Sequence, residues 1–257
     1  MTESQPPLAL VTGAQQGIGE AIACALSQAG YEIVVADIST AISGDEFAAR
    51  WGTPRRVVCL QCDISDPQQA EDLFDRIEQM FERPAVCLVN NAAVQFWASL
   101  LDLSVDDWSQ TLRVNLTGTF VMTQQFARCR KRVGGEGVII NLGSGCNQLA
   151  FPNLVSYTAS KGGIEMLTKA AALELGALGI RVNCIAPGAI ETERTRSETA
   201  TYAESWSPLT PLNRVGEVSD VADAVVALAS DAMRFVSGQT LNVDGGLFSR
   251  AVWPREY

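Results

Sequence analysis

Leu8-Ala-Leu-Val-Thr-Gly-Ala-Gln-Gln-Gly-Ile-Gly19 is the stretch from which the architecture follows. Its first four residues are apolar at consecutive positions, the pattern of a parallel strand buried on both faces. Glycines 13, 17 and 19 come next, where a strand must turn sharply into a helix, and a helical pattern follows over residues 18–28. Without Cβ atoms the backbone can approach a pyrophosphate at the helix N-terminus, whose free N–H groups and dipole favour anions. The spacing is G-x-x-x-G-x-G rather than the commoner G-x-G-x-x-G, and a glycine cluster alone also fits a plain structural turn.

Outward from this turn, β-rich apolar segments alternate with helical patterns to the end of the chain. Strands are expected at residues 8–12, 32–36, 56–61, 86–90, 138–142, 181–186 and 240–243. Helices are expected at 18–28, 68–81, 105–131, 157–178 and 218–228. Such alternation predicts an α/β fold: a Rossmann-type doubly wound parallel sheet of about seven strands with helices on both faces. No composition shift, linker or repeat divides the chain, so residues 1–257 are expected to form a single dinucleotide-binding and catalytic domain. Residues 188–215 fit neither pattern and are expected to be a substrate loop.

Composition narrows the function. With 47 % hydrophobic and 19 % charged residues, the chain has the make-up of a globular protein with a sizeable core. No apolar run reaches a membrane span, and residues 1–7 lack the basic and apolar regions of a secretory signal. A net charge of −10 argues against nucleic acid as a partner, and Arg128-Cys-Arg-Lys-Arg132 reads as a solvated helix end. The seven cysteines are odd in number and lie in apolar segments, which suits free thiols in the cytoplasm. Cys59 and Cys62 have the spacing of a redox or zinc pair but stand alone in a strand-like run, so packing is the expected role and no metal site is expected. The chain contains no histidine, which removes His-activated nucleophiles and the usual acid/base side chain. Tyrosine and lysine become the candidates.

Tyr157 and Lys161 are four apart in a helical pattern and therefore share a face. Tyrosine ordinarily titrates near 10, and bringing it near 7 requires roughly 4 kcal/mol. The expectation is that the Lys161 ammonium and a positively charged nicotinamide supply it in a partly dry cleft. Ser144 ends the fifth expected strand, where ligands bind in open α/β sheets, and its hydroxyl is placed to hold a reacting oxygen, although a plain Gly-Ser turn also fits. Asp37 ends the second strand, 18 residues beyond Gly19, near where a carboxylate accepts hydrogen bonds from an adenosine ribose diol. With no Arg or Lys beside it, that carboxylate disfavours a 2′-phosphate, so NAD is preferred over NADP by on the order of 1–3 kcal/mol. Asp63 fits either contact with an adenine or the cap of the next helix.

Taken together, these motifs resemble the short-chain dehydrogenase/reductase family along nearly the full chain. The match comprises T-G-x-x-x-G-I-G at residues 12–19, Asp63-Ile64, Asn90-Asn-Ala-Ala93 and Ser156-Tyr-Thr-Ala-Ser-Lys161, with Ala93 replacing the family's usual glycine. Ser144, thirteen residues before Tyr157, matches the family's substrate-positioning serine, and Asn115 its proton-relay asparagine. Pro187-Gly188, followed by Ile190 and Thr192, resembles the segment that contacts the nicotinamide carboxamide. The resemblance thus implies Asn115, Ser144, Tyr157 and Lys161 as the catalytic set. It implies cofactor contacts from Gly13, Gln16, Gly17, Ile18, Gly19, Asp37, Asp63, Ile64, Asn91, Tyr157, Lys161, Ile190 and Thr192. Hydride transfer between NAD(H) and a secondary alcohol or ketone is the implied reaction, in a homotetramer with helices 105–131 and 157–178 at the interface. Asp244-Gly-Gly246 is expected to be a turn, and the tail with Trp253 and Tyr257 either to pack on a neighbour or to be disordered. Gln95, Trp97, Asn147, Gln148, Glu191 and Arg194 are expected near the substrate, a polar set that suits a sugar or polyol, and Cys146 is expected in the wall. A 3-oxoacyl thioester, a steroid or a simple alcohol are the rival substrates, and a catalytically silent NAD-binding sensor is the rival class.

Overall fold

The computed structural model describes residues 5–249. Seven strands, β1 (Leu8–Thr12), β2 (Glu32–Asp37), β3 (Val57–Gln61), β4 (Cys87–Asn90), β5 (Gly137–Leu142), β6 (Ile180–Pro187) and β7 (Thr240–Val243), form one sheet in the order β3-β2-β1-β4-β5-β6-β7. Every pairing is parallel. The sheet is therefore doubly wound, as its sequence pattern predicts.

The consecutive apolar residues of β1 divide between two cores because strand side chains alternate faces. Leu8 and Leu10 join Leu73, Phe74 and Ile77 of α3 (Pro67–Phe81) and Met122 and Phe126 of α5 (Thr119–Val133). Ala9 and Val11 join Ile22 and Leu26 of α1 (Gly17–Gln28) and Val221, Val225 and Leu228 of α9 (Val218–Ala229). Burying each such Leu or Ile contributes roughly 1.5–3 kcal/mol.

Chain direction reverses across the sheet between β1, which is followed outward by β2 and β3, and β4, which leads to β5, β6 and β7. The helices that would cover a continuous sheet separate there, leaving a crevice beyond the strands' carboxyl ends. Gly13 closes the floor of that crevice: it has φ +63°, and a Cβ on it would lie 2.6 Å from Ala92 Cα. Only glycine lets the β1 turn and the segment after β4 come this close.

Four expectations need correction. Residues 105–131 are not one α-helix: α4 (Val105–Leu112) passes through a π-helical turn at Arg113–Gly118 before α5 begins. Residues 188–215 are not a bare loop, since they carry α7 (Glu193–Glu198), α8 (Tyr202–Trp206) and a 3₁₀ turn at Ser207–Leu209. A helix at Gly44–Trp51, α2, was missed although Ser43-Gly-Asp-Glu46 spells its capping box, with both reciprocal hydrogen bonds formed. The basic run is only partly solvated. Arg130 is buried, and its guanidinium donates to Gly134 O and Glu136 O, closing the C-terminus of α5.

Cys59 and Cys62 pack as expected, and burial pushes each thiol up to about 11. All seven cysteines are free. No helix among the described residues is long and apolar enough to cross a membrane, and no group of His, Cys, Asp or Glu there is arranged to hold a metal.

Candidate active site

A cleft of about 940 Å³ opens along the carboxyl ends of the strands. Its walls include every catalytic and cofactor-binding residue expected from the sequence except Asn115.

At one end lies the glycine turn. The first N–H groups of α1 receive no side-chain cap, since Gln16 stands at the cap position with extended backbone and offers no hydrogen bond. Uncapped N–H groups facing a cavity form an anion site. Gly17, at φ +62°, has no atom within 4 Å of where a Cβ would be, so the space above the turn is open. Gly19 packs inward, where a Cβ would meet Gly13 O at 2.4 Å. Asn91 fixes this arrangement by donating from Nδ2 to Thr12 O and Gly13 O, at 3.0 and 2.8 Å. Thr12 Oγ1 accepts the N–H groups of Asn91 and Ala92 at 3.0 and 3.1 Å. These residues fit a dinucleotide.

Asp37 ends β2 in the cleft wall, and its oxygens accept the N–H groups of Gln15 and Ser39, each at 3.2 Å. Gln15 thus positions the carboxylate, a contact that sequence reasoning missed. Asp63 and Ile64 also line the cleft. Asp63 does not cap α3: it accepts Ser65 N and Oγ at 2.9 and 2.6 Å, and Asp66 takes the cap position. Ile190 and Thr192 lie at the opposite wall, where Thr192 caps α7 through Thr195 N at 3.1 Å.

Tyr157 and Lys161 project from the first turns of α6 (Val155–Leu175) and meet as the i, i+4 spacing requires, with Nζ 5.4 Å from the Tyr157 ring centre. Lys161 Nζ donates to Leu142 O at 2.7 Å, at the end of β5. The Ser144 hydroxyl favours the ionised phenol and also accepts Cys146 N at 3.2 Å. Asn147 Oδ1 accepts Ser144 N at 3.1 Å and so holds the serine in place.

Without a nicotinamide in place, burial outweighs the lowering that the sequence expectation draws from Lys161 and the cofactor together. Burial dominates and pushes the Tyr157 phenol up to about 12, with the nearby Cys146 adding to it and Arg194 and Ser144 opposing it. The same burial pushes Lys161 down to about 8. Desolvation of the phenolate outweighs its partners, and the lysine's ammonium is spent on a carbonyl and weakened by its own dry surroundings. In the protein alone the phenol is therefore a proton donor, not a base near pH 7.

Asn115 is fully buried behind the wall, in the π-helical turn. Its Nδ2 donates to Val94 O at 2.9 Å and Ser160 Oγ at 3.1 Å, while its Oδ1 accepts Val94 N at 2.8 Å. Ser160 Oγ donates in turn to Tyr157 O at 2.7 Å. The side chain braces the catalytic helix and does not face the cleft.

Of the polar residues expected near substrate, Gln95, Trp97 and Arg194 line the cleft, as does Cys146. Asn147 is committed to Ser144, Gln148 stands outside the lining, and Glu191 turns away to pair with Arg196 at 3.3 Å. Aromatic walls from Phe151, Tyr202, Trp206 and Phe248 were not anticipated. Phe248 lies against Gly145, where a Cβ would meet its ring at 2.1 Å, and it meets Phe151 edge-on at 5.9 Å. Asp244 secures this turn by accepting Gly246 N at 2.8 Å and Phe248 N at 2.9 Å. Trp253 and Tyr257 lie outside the described residues.

Comparison with known proteins agrees with this geometry. Residues 13–248 match the family model described as enoyl-(acyl carrier protein) reductase. The (3R)-3-hydroxyacyl-CoA dehydrogenase of Mus musculus is 36 % identical over 248 residues, covering 94 % of this chain and 96 % of that protein. A chloroplastic NADPH-dependent aldehyde reductase-like protein of Arabidopsis thaliana is 36 % identical, covering 95 % and 97 %. A solved structure from Agrobacterium tumefaciens, described as a 2-deoxy-D-gluconate 3-dehydrogenase with bound NADP, superposes with a TM-score of 0.85 at 37 % identity, covering 95 % and 97 %. With this length of match joined to the glycine turn and the Tyr157–Lys161 pair, the chain belongs to the short-chain dehydrogenase/reductase family of oxidoreductases.

Proposed function

We propose that this protein is an NAD-dependent dehydrogenase that interconverts a secondary alcohol and its ketone, with a sugar or polyol as substrate. The observation that carries this reading is the convergence of Ser144, Tyr157 and Lys161 in one cleft with an uncapped helix N-terminus. NAD supplies the hydride acceptor or donor when bound. Gly13, Gln16, Gly17, Ile18 and Gly19 hold its diphosphate, and Asp37, Asp63 and Ile64 hold the adenosine. Asn91, Ile190, Thr192 and Lys161 border the nicotinamide end.

Within the site, Ser144 orients the substrate oxygen. Tyr157 gives its proton to that oxygen during reduction and takes the carbinol proton during oxidation. Lys161, whose pKa is near 8, takes up or returns the proton that passes through Tyr157. Asn115 acts as a positioning residue through Ser160.

NAD over NADP rests on Asp37, whose carboxylate would face a 2′-phosphate, against relatives described with NADP or NADPH. Gln95 and Arg194 in the cleft support a polyol, as do the neighbours described as gluconate dehydrogenases. A second reading, a 3-hydroxyacyl thioester, is favoured by the aromatic wall of Phe151, Trp206 and Phe248 and by the hydroxyacyl-CoA relatives. The free, buried cysteines support a cytoplasmic setting, and the exposed apolar residues of α5 and α6 support a homotetramer.

The test is a substrate panel run with both nicotinamide cofactors on wild type and Tyr157→Phe. Polyols are expected to turn over with NAD⁺ preferred at least about tenfold over NADP⁺ (one such factor is ~1.4 kcal/mol). Tyr157→Phe is expected to bind NAD⁺ yet lose nearly all turnover. Retained turnover removes the mechanism, and thioesters outrunning polyols installs the second reading.

A further inference from the structure

Three basic side chains line the cleft: Arg113, Lys161 and Arg194. Lys161 is occupied by Leu142 O. Like Arg113, and unlike most arginines among the described residues, Arg194 at the start of α7 donates no hydrogen bond from its guanidinium; of the two, it is the one whose charge is felt at the Tyr157 phenol. Its one ionic neighbour is Glu198, a turn further along α7, at 3.8 Å and with both side chains largely exposed. By contrast Arg196, two residues on, pairs with Glu191, and Arg214 grips Asp220 with two bonds of 2.7 and 2.8 Å. A loose exposed i, i+4 pair contributes only about 0.3–0.5 kcal/mol, so Arg194 is available to a better partner.

Location says what that partner is. The Arg194 charge is felt at the Tyr157 phenol, where it opposes the effect of burial, and at the Tyr202 hydroxyl on α8. It therefore shares the cleft with Ser144, Tyr157 and the aromatic wall, within electrostatic reach of the phenol. In a small substrate that fills this cleft, the anion that meets Arg194 is only a few bonds from the carbinol carbon. The phosphates of a nucleotide-tailed thioester are separated from that carbon by a long arm and would lie elsewhere. Guanidinium matches the planar, two-oxygen geometry of a carboxylate, which can take both forks at once.

We propose that Arg194 binds a carboxylate of the substrate, so that the enzyme acts on small polyhydroxy acids and not on neutral polyols. This rests on the polyol reading above and narrows it. In an acidic chain with net charge −10, a loosely held guanidinium in the same cleft as the phenol supplies the local attraction that the overall field withholds.

The experiment measures kcat/KM for matched pairs of polyols that end in either CH₂OH or COO⁻, using wild type, Arg194→Gln and Arg194→Lys. Wild type is expected to prefer the acid by about 10–100-fold, the range of a charge-assisted hydrogen bond converted to a ratio. In Arg194→Gln that acid-to-neutral ratio is expected to collapse towards unity, mainly through KM, with Arg194→Lys in between. Added salt should weaken the wild-type preference and leave the Gln variant's ratio flat. Neutral polyols turned over as well as their acids by wild type, or a ratio unchanged in Arg194→Gln, overturns the inference and leaves the polyol reading standing. Failure of both series while hydroxyacyl thioesters react overturns the two together. A melting temperature close to wild type for each variant confirms that the exposed position has not been read through misfolding.

Discussion

Lys161 is the residue on which the chemistry is most open to measurement. Burial holds it near 8, so it is mostly charged at pH 7 and mostly neutral at pH 9. In the proposed mechanism, oxidation needs a neutral amine to take up the proton leaving through Tyr157, and reduction needs a charged one to replace it. Oxidative kcat/KM is therefore expected to rise with pH to a plateau above about 8, and reductive kcat/KM to fall over the same range. Flat profiles from pH 6.5 to 9.5 would falsify the assignment. The same shift has a sign for stability. A folded pKa below the unfolded one means that the charged form is disfavoured in the fold, a burden fully present below 8 and relieved as pH climbs towards the unfolded value. Lys161→Met should accordingly compare best with wild type at pH 7 and lose ground by pH 9.5 in thermal melts. At this scale the sequence was a good guide to position. Tyr157, Lys161, Ser144, Asp37 and the glycines all reach one cleft because motif spacing fixes which strand end or helix face they occupy. It was a poor guide to electrostatics, because whether desolvation or a neighbouring charge wins depends on burial, which no spacing encodes.

Among the elements, the π-helical turn at Arg113–Gly118 carries the clearest lesson. A single wide turn shifts the helix register and carries Asn115 inward to grip Val94 and Ser160. The sequence pattern marks residues 105–131 as helical throughout, since hydrophobic periodicity cannot register one extra residue. Asn115→Ala would leave the partly buried Val94 N–H and C=O without their partners and empty a fully buried site. A loss of about 2–4 kcal/mol in denaturant unfolding is expected, with kcat falling more than cofactor affinity. Unchanged stability would mean that the brace is not structural. The helices α7 and α8 escaped notice for a different reason. They are too short to show a period, and α7 starts on the Thr192 cap, whose partner Thr195 is not a pattern that periodicity registers. Helix α2 could have been found from its Ser43–Glu46 cap alone.

Across the whole molecule, alternation of strand and helix was enough to give seven parallel strands, because buried parallel strands have a composition unlike anything else in the chain. The proposed assembly has its support on the surface instead. Phe120 of α5 and Met166 and Leu173 of α6 are 45 %, 63 % and 85 % exposed, and none of them lines the cleft. Light scattering is expected to give a tetramer, and Met166→Glu with Leu173→Glu to give smaller species; a monomeric wild type would remove the interface. One more property comes from the close approach of Gly13 to Ala92 at the reversal between β1 and β4. The two residues are far apart in the chain, and each belongs to a different half of the sheet. The catalytic crevice is thus a joint, not a pocket carved into either half. A fragment ending before β4 would hold every glycine of the turn and still lack the other wall, so cofactor capture must await the docking of the two halves and reports on completed folding.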